Sequence, residues 1–269
     1  MALRATLFTF LFAFISICLA NNPPAPLSMS AQRITKAPTI DGFLDDEAWE
    51  GEAFFDGHFI QTKPDAGAQA SHPTKVVVRY DDYAIYVAAR MYDPAPETIP
   101  TELGLRDDDE RNVDAFAIGF DPYLKKQNAF VFKVTAAGVQ VDLYLRGDDD
   151  DYNWNAVWKS AVKVYENRWV VEMKIPFKSI RYKSDISQWG INFARNDLKQ
   201  NESSTWSWVQ RGQNVANLAY TGKLIWDAPP KKAGANVSLI PYGIVGVNHD
   251  YEVEKKTKVP WNLGLDAKI

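Results

Sequence analysis

The sequence predicts an all-β fold in which antiparallel strands form a sandwich. Short runs rich in β-branched and aromatic residues follow one another at close spacing, and no segment has the apolar pattern of a long amphipathic helix. The clearest run extends from Val139 to Leu145, where apolar residues at odd positions alternate with Gln140, Asp142 and Tyr144. Such alternation is typical of a strand with one buried face, so we predict a β-sandwich over residues 31–227.

The first twenty residues have the pattern of a signal peptide. Arg4 precedes an apolar run from Leu7 to Leu19, and the small residues Cys18 and Ala20 stand where a signal peptidase cleaves. The run is shorter than a membrane-spanning helix requires, which favours a cleaved signal at 1–20 over a retained anchor. We therefore predict an exported protein of the periplasm or outer membrane of a Gram-negative-type bacterium.

Composition narrows the classes of partner. Cys18 is the only cysteine, so cleavage of the signal would leave no disulfide, thiol nucleophile or cysteine–zinc site. A net charge of −4 offers no basic field for nucleic acid. Nine tryptophans exceed the needs of a sandwich core and suit stacking on sugars or a membrane interface. Four of them lie inside strand or motif patterns and are predicted core residues, namely Trp49, Trp158, Trp169 and Trp189.

The elements follow in order from a proline-rich linker at 21–30, which has nothing to bury. Pro176 ends one predicted strand because proline cannot donate to a strand ladder, and 177–182 is predicted as a single helical turn. The predicted strands are 75–80, 84–92, 113–120, 129–135, 139–145, 156–165, 169–175, 188–194, 205–209 and 218–226.

The C-terminal part differs in kind. A second linker at 228–235 precedes a long strand-like run, and the last residues then alternate strictly. Apolar-out, polar-in alternation, with Tyr242 and Trp261 as interface anchors, is typical of transmembrane β-barrels. We predict that 236–269 is the truncated start of an outer-membrane barrel, and the alternative is two further soluble strands. The alternating faces are Leu263, Leu265, Ala267 and Ile269 against Gly264, Asp266 and Lys268.

Several stretches, taken together, identify a family. They are PTIDGFLDDEAW (38–49), the segment 76–94 with YDDYAIYVAARMYDP, NVDAFAIGFD (112–121), NRWVVEMKIPFKSI (167–180) and WGINFARND (189–197). In this order they resemble carbohydrate-binding module family 9-like domains, over about residues 33–227. The chain looks closest to the subgroup in which this module precedes an outer-membrane β-barrel, because PYG (241–243) and GLDAKI (264–269) match the strands that follow it there.

The resemblance implies a jelly-roll-like sandwich that binds sugars and belongs to glycan-degrading systems. Sugar-binding members of the family hold the end of a saccharide between two tryptophans, one of them just before the strand that begins here at Val113. This chain has RDDDER (106–111) at that place, without an aromatic residue. Either Trp206 or Trp208 could match the second tryptophan.

The residues themselves offer a candidate ligand site. Trp154, Trp206 and Trp208 are expected at strand ends or in loops, where an indole can stack on a pyranose ring. Trp206 and Trp208 are two apart and would share one face of a strand, although a cross-strand aromatic pair has the same pattern. Polar side chains that would hold sugar hydroxyls complete the predicted site, namely Arg195, Asn196 and Gln210.

An acidic loop suggests a cation. The four carboxylates of Asp148, Asp149, Asp150 and Asp151 repel one another and could supply ligands to calcium, which takes six to eight oxygens. The loop lacks the glycine and the closing glutamate of an EF-hand, and a solvated acidic loop is the alternative interpretation.

The leading functional interpretation is a non-catalytic carbohydrate-binding envelope domain that is tethered to an outer-membrane barrel and takes part in polysaccharide catabolism. One alternative is a structural plug or docking domain of the barrel that does not bind sugar. A second is part of a glycoside hydrolase, which would need two carboxyls flanking the scissile bond. No catalytic residue is predicted, because no spacing singles out such a pair among 34 acidic residues.

Overall fold

The structure is a computed structural model that describes residues 27–50, 58–108, 113–147, 149–212, 217–232, 238–249 and 257–268. The predicted signal peptide lies outside these residues. No described helix is long and apolar enough to cross a membrane. The described ranges contain four 3₁₀ turns, at Glu47–Trp49, Pro96–Thr98, Phe177–Ser179 and Leu218–Tyr220.

The described chain is built from strands. They are β1 (Ser28–Arg33), β2 (Ile60–Lys63), β3 (Thr74–Tyr80), β4 (Ala84–Tyr92), β5 (Ala115–Asp121), β6 (Asn128–Thr135), β7 (Gln140–Arg146), β8 (Asp149–Asp151), β9 (Lys159–Tyr165), β10 (Arg168–Pro176), β11 (Gln188–Asp197), β12 (Glu202–Thr205), β13 (Gly222–Trp226), β14 (Ser238–Val245), β15 (Asn248–His249), β16 (Thr257–Lys258) and β17 (Trp261–Lys268). The prediction of an all-β chain is confirmed.

Thirteen of these strands form one curled sheet. Its order is β8-β7-β6-β5-β11-β13-β1-β3-β4-β10-β9, and β12 joins β11 to β2. One hydrophobic core contains side chains from both halves of this sheet, including Phe132 on β6 and Trp169 on β10. The four tryptophans predicted for the core are buried, so that part of the prediction is confirmed.

Strand β1 connects the two halves and departs from the prediction in two ways. It is parallel to both neighbours, with Ser28–Ala31 along β13 and Gln32–Arg33 along β3, so the sheet is mixed and not purely antiparallel. It also begins inside the segment 21–30 that was predicted to be a linker. The strand forms because the gap between two neighbouring strands satisfies its backbone N–H and C=O groups, and Ala31 is completely buried there.

The opening motif of the predicted domain is anchored by one buried carboxylate. Glu172 of β10 accepts hydrogen bonds from the N–H groups of Asp41 (2.9 Å) and Gly42 (2.6 Å), and from Nε1 of Trp49 (2.7 Å). Gly42 has a φ of +89°, and a Cβ atom there would lie 2.9 Å from Cβ of Lys163. Glycine is therefore required at this turn for both conformation and space.

The C-terminal strands β14 and β17 pair antiparallel as a separate two-stranded ribbon. Residues directly opposite in such a pair share a face, which makes one face of this ribbon wholly apolar. That face consists of Leu239, Pro241, Gly243 and Val245 on β14 opposite Ala267, Leu265, Leu263 and Trp261 on β17. We call it the apolar ribbon face, and its large side chains are exposed. The strands predicted here are confirmed, except that Ile269 lies outside the described residues.

Candidate functional site

Arg195, predicted as a ligand-binding residue, is buried and has a structural role. Its guanidinium donates to the carbonyl oxygens of Pro73 (3.2 Å) and Tyr92 (2.9 Å) and forms an ion pair with Asp197 (3.1 Å). These contacts tie β11 to the ends of β3 and β4. The prediction is corrected because Arg195 is only 2% exposed and cannot reach a ligand at the surface.

The predicted platform of Trp206 and Trp208 does not form either. Strand β12 ends at Thr205, so the two indoles lie beyond it and do not share a strand face. Trp206 is 1% exposed and packs against Phe193, whereas Trp208 is 39% exposed and lies 6.4 Å from the Tyr220 ring.

The last two predicted polar residues are placed apart from any aromatic platform. Asn196 donates to the carbonyl oxygen of Val113 (3.0 Å) and accepts from Oγ of Ser203 (2.7 Å), so its side chain holds the sheet together. Gln210 is exposed. The structure therefore does not bring Asn196, Gln210 and the two indoles together as one site.

A cluster of buried charges surrounds Arg195. Asp197 also accepts from Nδ1 of His72 (2.7 Å), and Lys199 pairs with Asp93 (2.6 Å). Asp114 is completely buried, and one of its oxygens accepts from the N–H of Leu198 (2.9 Å). Burial raises the pKa of Asp114 to about 6, with nearby Asp197 and Asp93 acting in the same direction.

Asp114 should make the protein lose stability as the pH rises. A carboxyl whose pKa is higher in the folded state contributes stability below its ordinary value of 3.8, and this is lost as the pH rises through about 6. The shift corresponds to about 2–3 kcal/mol. We expect the free energy of unfolding of Asp114→Asn to rise relative to wild type between pH 4 and 7.5, as measured in urea. Parallel pH profiles would contradict this assignment.

Trp154 is in ring contact with Tyr144, which lines a surface hollow. Its indole packs against the rings of Phe130 (5.1 Å) and Phe132 (5.7 Å) at the edge of the core, and it remains partly exposed. Tyr144 on β7 stacks against the same Phe130 (5.0 Å) and lies 6.4 Å from Trp154. We call the Tyr144 and Trp154 rings the aromatic wall, and both of them pack against the buried ring of Phe130.

Next to this wall lies a hollow of about 230 Å³, which we call the near hollow. Its lining residues are Tyr144, Arg146, Asp149, Asp150 and Asp151. Arg146 is directly opposite Asp149 in the pairing of β7 with β8, so unlike charges share one face. An aromatic wall beside charged hydrogen-bonding groups is an arrangement suited to a polyhydroxylated ligand.

The described part of the acidic loop does not support the calcium prediction. Asp149, Asp150 and Asp151 form β8, where successive side chains point to opposite faces and cannot converge on one ion. Among the described residues, no group of three or more acidic, histidine or cysteine side chains is arranged to hold a metal ion. Asp148 lies outside the described residues.

A second hollow of about 350 Å³, the far hollow, lies at the other end of β7. It is lined by Leu103, Gly104, Arg106, Ala137, Gly138, Val139, Gln140 and Ser160. Gln140 accepts from Arg106 (2.6 Å) and donates to Oγ of Ser160 (2.9 Å), which joins β7 to β9 across the edge of the sandwich.

Between the two hollows a buried aspartate anchors the surrounding loops. Asp142 of β7 accepts from the N–H of Ala156 (2.5 Å), from Nε1 of Trp158 (3.1 Å) and from the guanidinium of Arg106. It is completely buried, although the sequence pattern placed it on the polar face of its strand. Ala156 is two residues from Trp154, so Asp142 holds the segment that carries the aromatic wall.

Sequence reasoning missed Tyr144, Arg146, Gln140 and Ser160. Gln140 and Tyr144 belong to the polar series predicted for β7, and Arg146 follows the predicted end of that strand at Leu145. A signal was present, because an aromatic residue in the polar series of a strand indicates a partly covered face.

Comparisons with known proteins identify the family and the fold. The profile of the family described as carbohydrate family 9 binding domain-like matches residues 40–227, more than two thirds of the chain. No curated protein matches the chain significantly.

Three of the solved structures of similar fold are from Caldicellulosiruptor kristjanssonii and Bacteroides uniformis. A family 9 carbohydrate-binding module from Caldicellulosiruptor kristjanssonii in complex with glucose has a TM-score of 0.51 and 14% identity, covering 77% of this chain and 99% of its own. The complex of such a module from the same organism with cellotriose has a TM-score of 0.51 and 16% identity, covering 78% and 98%. A Bacteroides uniformis protein, described as a candidate carbohydrate-binding protein, has a TM-score of 0.57 and 13% identity, covering 76% and 100%.

Proposed function

The chain belongs to the carbohydrate family 9 binding domain-like family, and we propose that it binds carbohydrate without catalysing a reaction. The observation that carries the proposal is the aromatic wall of Tyr144 and Trp154 beside the near hollow. Pyranose rings stack on such aromatic faces, and the charged groups of Arg146 and Asp149 are suited to hydrogen bonds with hydroxyls. The solved family 9 structures with glucose and cellotriose support a carbohydrate as the ligand class.

Tyr144→Ala should weaken glycan binding about tenfold, since loss of one stacking ring removes on the order of 1 kcal/mol or more. Binding of wild type and variant can be compared by isothermal titration, after a glycan array has identified a saccharide. The matched control is Trp208→Ala, which removes a partly exposed ring from outside the near hollow.

Two results of the Tyr144→Ala experiment would contradict the proposed site. Unchanged affinity of Tyr144→Ala, with Trp208→Ala defective, would place the site at Trp208, which the sequence had suggested. Absence of binding to every saccharide would favour the alternative function, a docking domain that has lost its sugar site. The aromatic-free sequence of 106–111, where the family has its first clamp tryptophan, supports that alternative.

We further propose that the protein is exported, resides in the periplasm or outer membrane and is tethered to a membrane barrel that begins with the ribbon of β14 and β17. The apolar ribbon face supports this, because eight residues at about 3.3 Å each approach the roughly 25 Å apolar band of such barrels. A role in polysaccharide catabolism would follow from glycan capture at the cell envelope. Fractionation of cells that express the precursor tests the location.

A further inference from the structure

The near and far hollows lie along one line of side chains. Gln140, Asp142, Tyr144 and Arg146 occupy alternate positions on β7 and therefore share one face of the strand. Gln140 lines the far hollow, and both Tyr144 and Arg146 line the near hollow. The two hollows thus lie along the same strand, the far hollow where β7 faces the edge strand β9 and the near hollow where β7 pairs with β8.

The length of this line exceeds that of a single sugar. Arg146 is six positions after Gln140 on β7, which corresponds to about 20 Å along the strand. Asp142 lies between the hollows on the strand and is completely buried. The side chain of Arg106, which donates to Asp142, is 38% exposed at the surface. Arg106 also lines the far hollow, so it joins that hollow to Asp142.

We propose that the two hollows form one edge groove that binds an extended glycan chain, with sugar units in both hollows at once. This inference rests on the proposed carbohydrate binding and specifies the ligand as an oligosaccharide segment rather than a single terminal sugar. One sugar unit stacks on the aromatic wall. Gln140, Ser160 and Arg106 form hydrogen bonds with another sugar unit of the same glycan, which lies in the far hollow. A monosaccharide that stacks on the aromatic wall makes no contact with the far hollow.

Charge further defines the chain that the edge groove accepts. The guanidinium of Arg106 is paired with Asp142. In the near hollow the two aspartates on the face of Arg146, Asp149 and Asp151, outnumber that arginine. A polyanionic chain would be repelled there, whereas a neutral chain would not. The ligand class is therefore a neutral oligosaccharide.

The dependence of affinity on chain length tests the edge groove. Glucose, cellotriose and cellohexaose are titrated into wild-type protein and into Ser160→Phe, whose bulky ring fills the far hollow. We expect wild type to bind cellohexaose at least tenfold more tightly than glucose, and Ser160→Phe to lose most of this gain while it keeps its affinity for glucose. Ser160→Ala should show a smaller loss in the same direction.

Matched controls make the result specific. Ser203→Ala removes a serine hydroxyl that makes a similar hydrogen bond outside the groove and should leave the length dependence unchanged. Equal affinity for glucose and cellohexaose, or a length gain that survives Ser160→Phe, would overturn the edge groove and leave carbohydrate binding intact. If no member of this series binds wild type, the same comparison uses the series found by the glycan array, and no binding at all overturns the proposed function itself.

Discussion

Replacement of Glu172 by alanine is expected to lower the free energy of unfolding by about 3–5 kcal/mol. Its two buried oxygens accept three hydrogen bonds, from the N–H groups of Asp41 and Gly42 and from the indole of Trp49. Burial raises the pKa of Glu172, and these three donors are what make the carboxylate tolerable there. Alanine would leave all three donors without their acceptor beneath the opening motif.

Urea unfolding at pH 7 measures this effect. Glu166→Ala is the matched control, because Glu166 is an exposed glutamate in the turn before the same strand and should change stability by less than about 0.5 kcal/mol. Glu172→Gln keeps the shape and one acceptor, so it should fall between wild type and alanine. An alanine variant as stable as the Glu166 control would show that the opening motif is held by other contacts.

The strands were largely predictable, but their neighbours were not. A run rich in β-branched and aromatic residues identifies a strand such as β4, and Asp81 and Asp82 indicate the turn before it, because both are local properties of the chain. Nothing local shows that β1 lies in parallel between β13 and β3, since no hairpin turn fixes its position. The same limit explains why Ser28–Ser30 lie in the segment predicted to be a linker: their partners on β13 are about two hundred residues away in the chain.

Of the predicted sugar-binding residues only Trp154 lies beside the candidate site, and three aspartates that line the near hollow were predicted for calcium instead. Sequence patterns suggest that a polar residue on a strand faces solvent, yet Arg195 and Asp142 are both buried because other elements cover those faces. Such burial depends on tertiary packing and leaves no periodic signal. Trp206 was misplaced for a different reason, since its strand ends one residue earlier and the indole turns into the core. The sequence thus predicted that aromatic rings form the site, but it did not predict which polar residues lie beside them.

Asp142→Ala should combine a large loss of stability with a loss of glycan affinity. The substitution removes the buried acceptor of Ala156 and Trp158 and one of the partners of Arg106, and two buried donors left without an acceptor cost about 2–5 kcal/mol. Ala156 is two residues from Trp154, so the aromatic wall should lose its fixed position. We expect glycan binding of the folded variant to weaken by about tenfold or more.

A matched aspartate separates positioning from general destabilisation. Asp121 is equally buried on β5, where it accepts from the N–H groups of Tyr123 (3.1 Å) and Lys126 (3.0 Å) in a turn. Asp121→Ala should also lower stability, but it should leave glycan affinity at the wild-type level, because the two N–H groups that its carboxylate accepts from belong to its own turn and not to residues that line the near hollow. The two variants are compared by titration at a temperature where each is folded. Equal affinities would mean that Asp142 only stabilises the fold and that Trp154 is positioned by its ring contacts with Phe130 and Phe132.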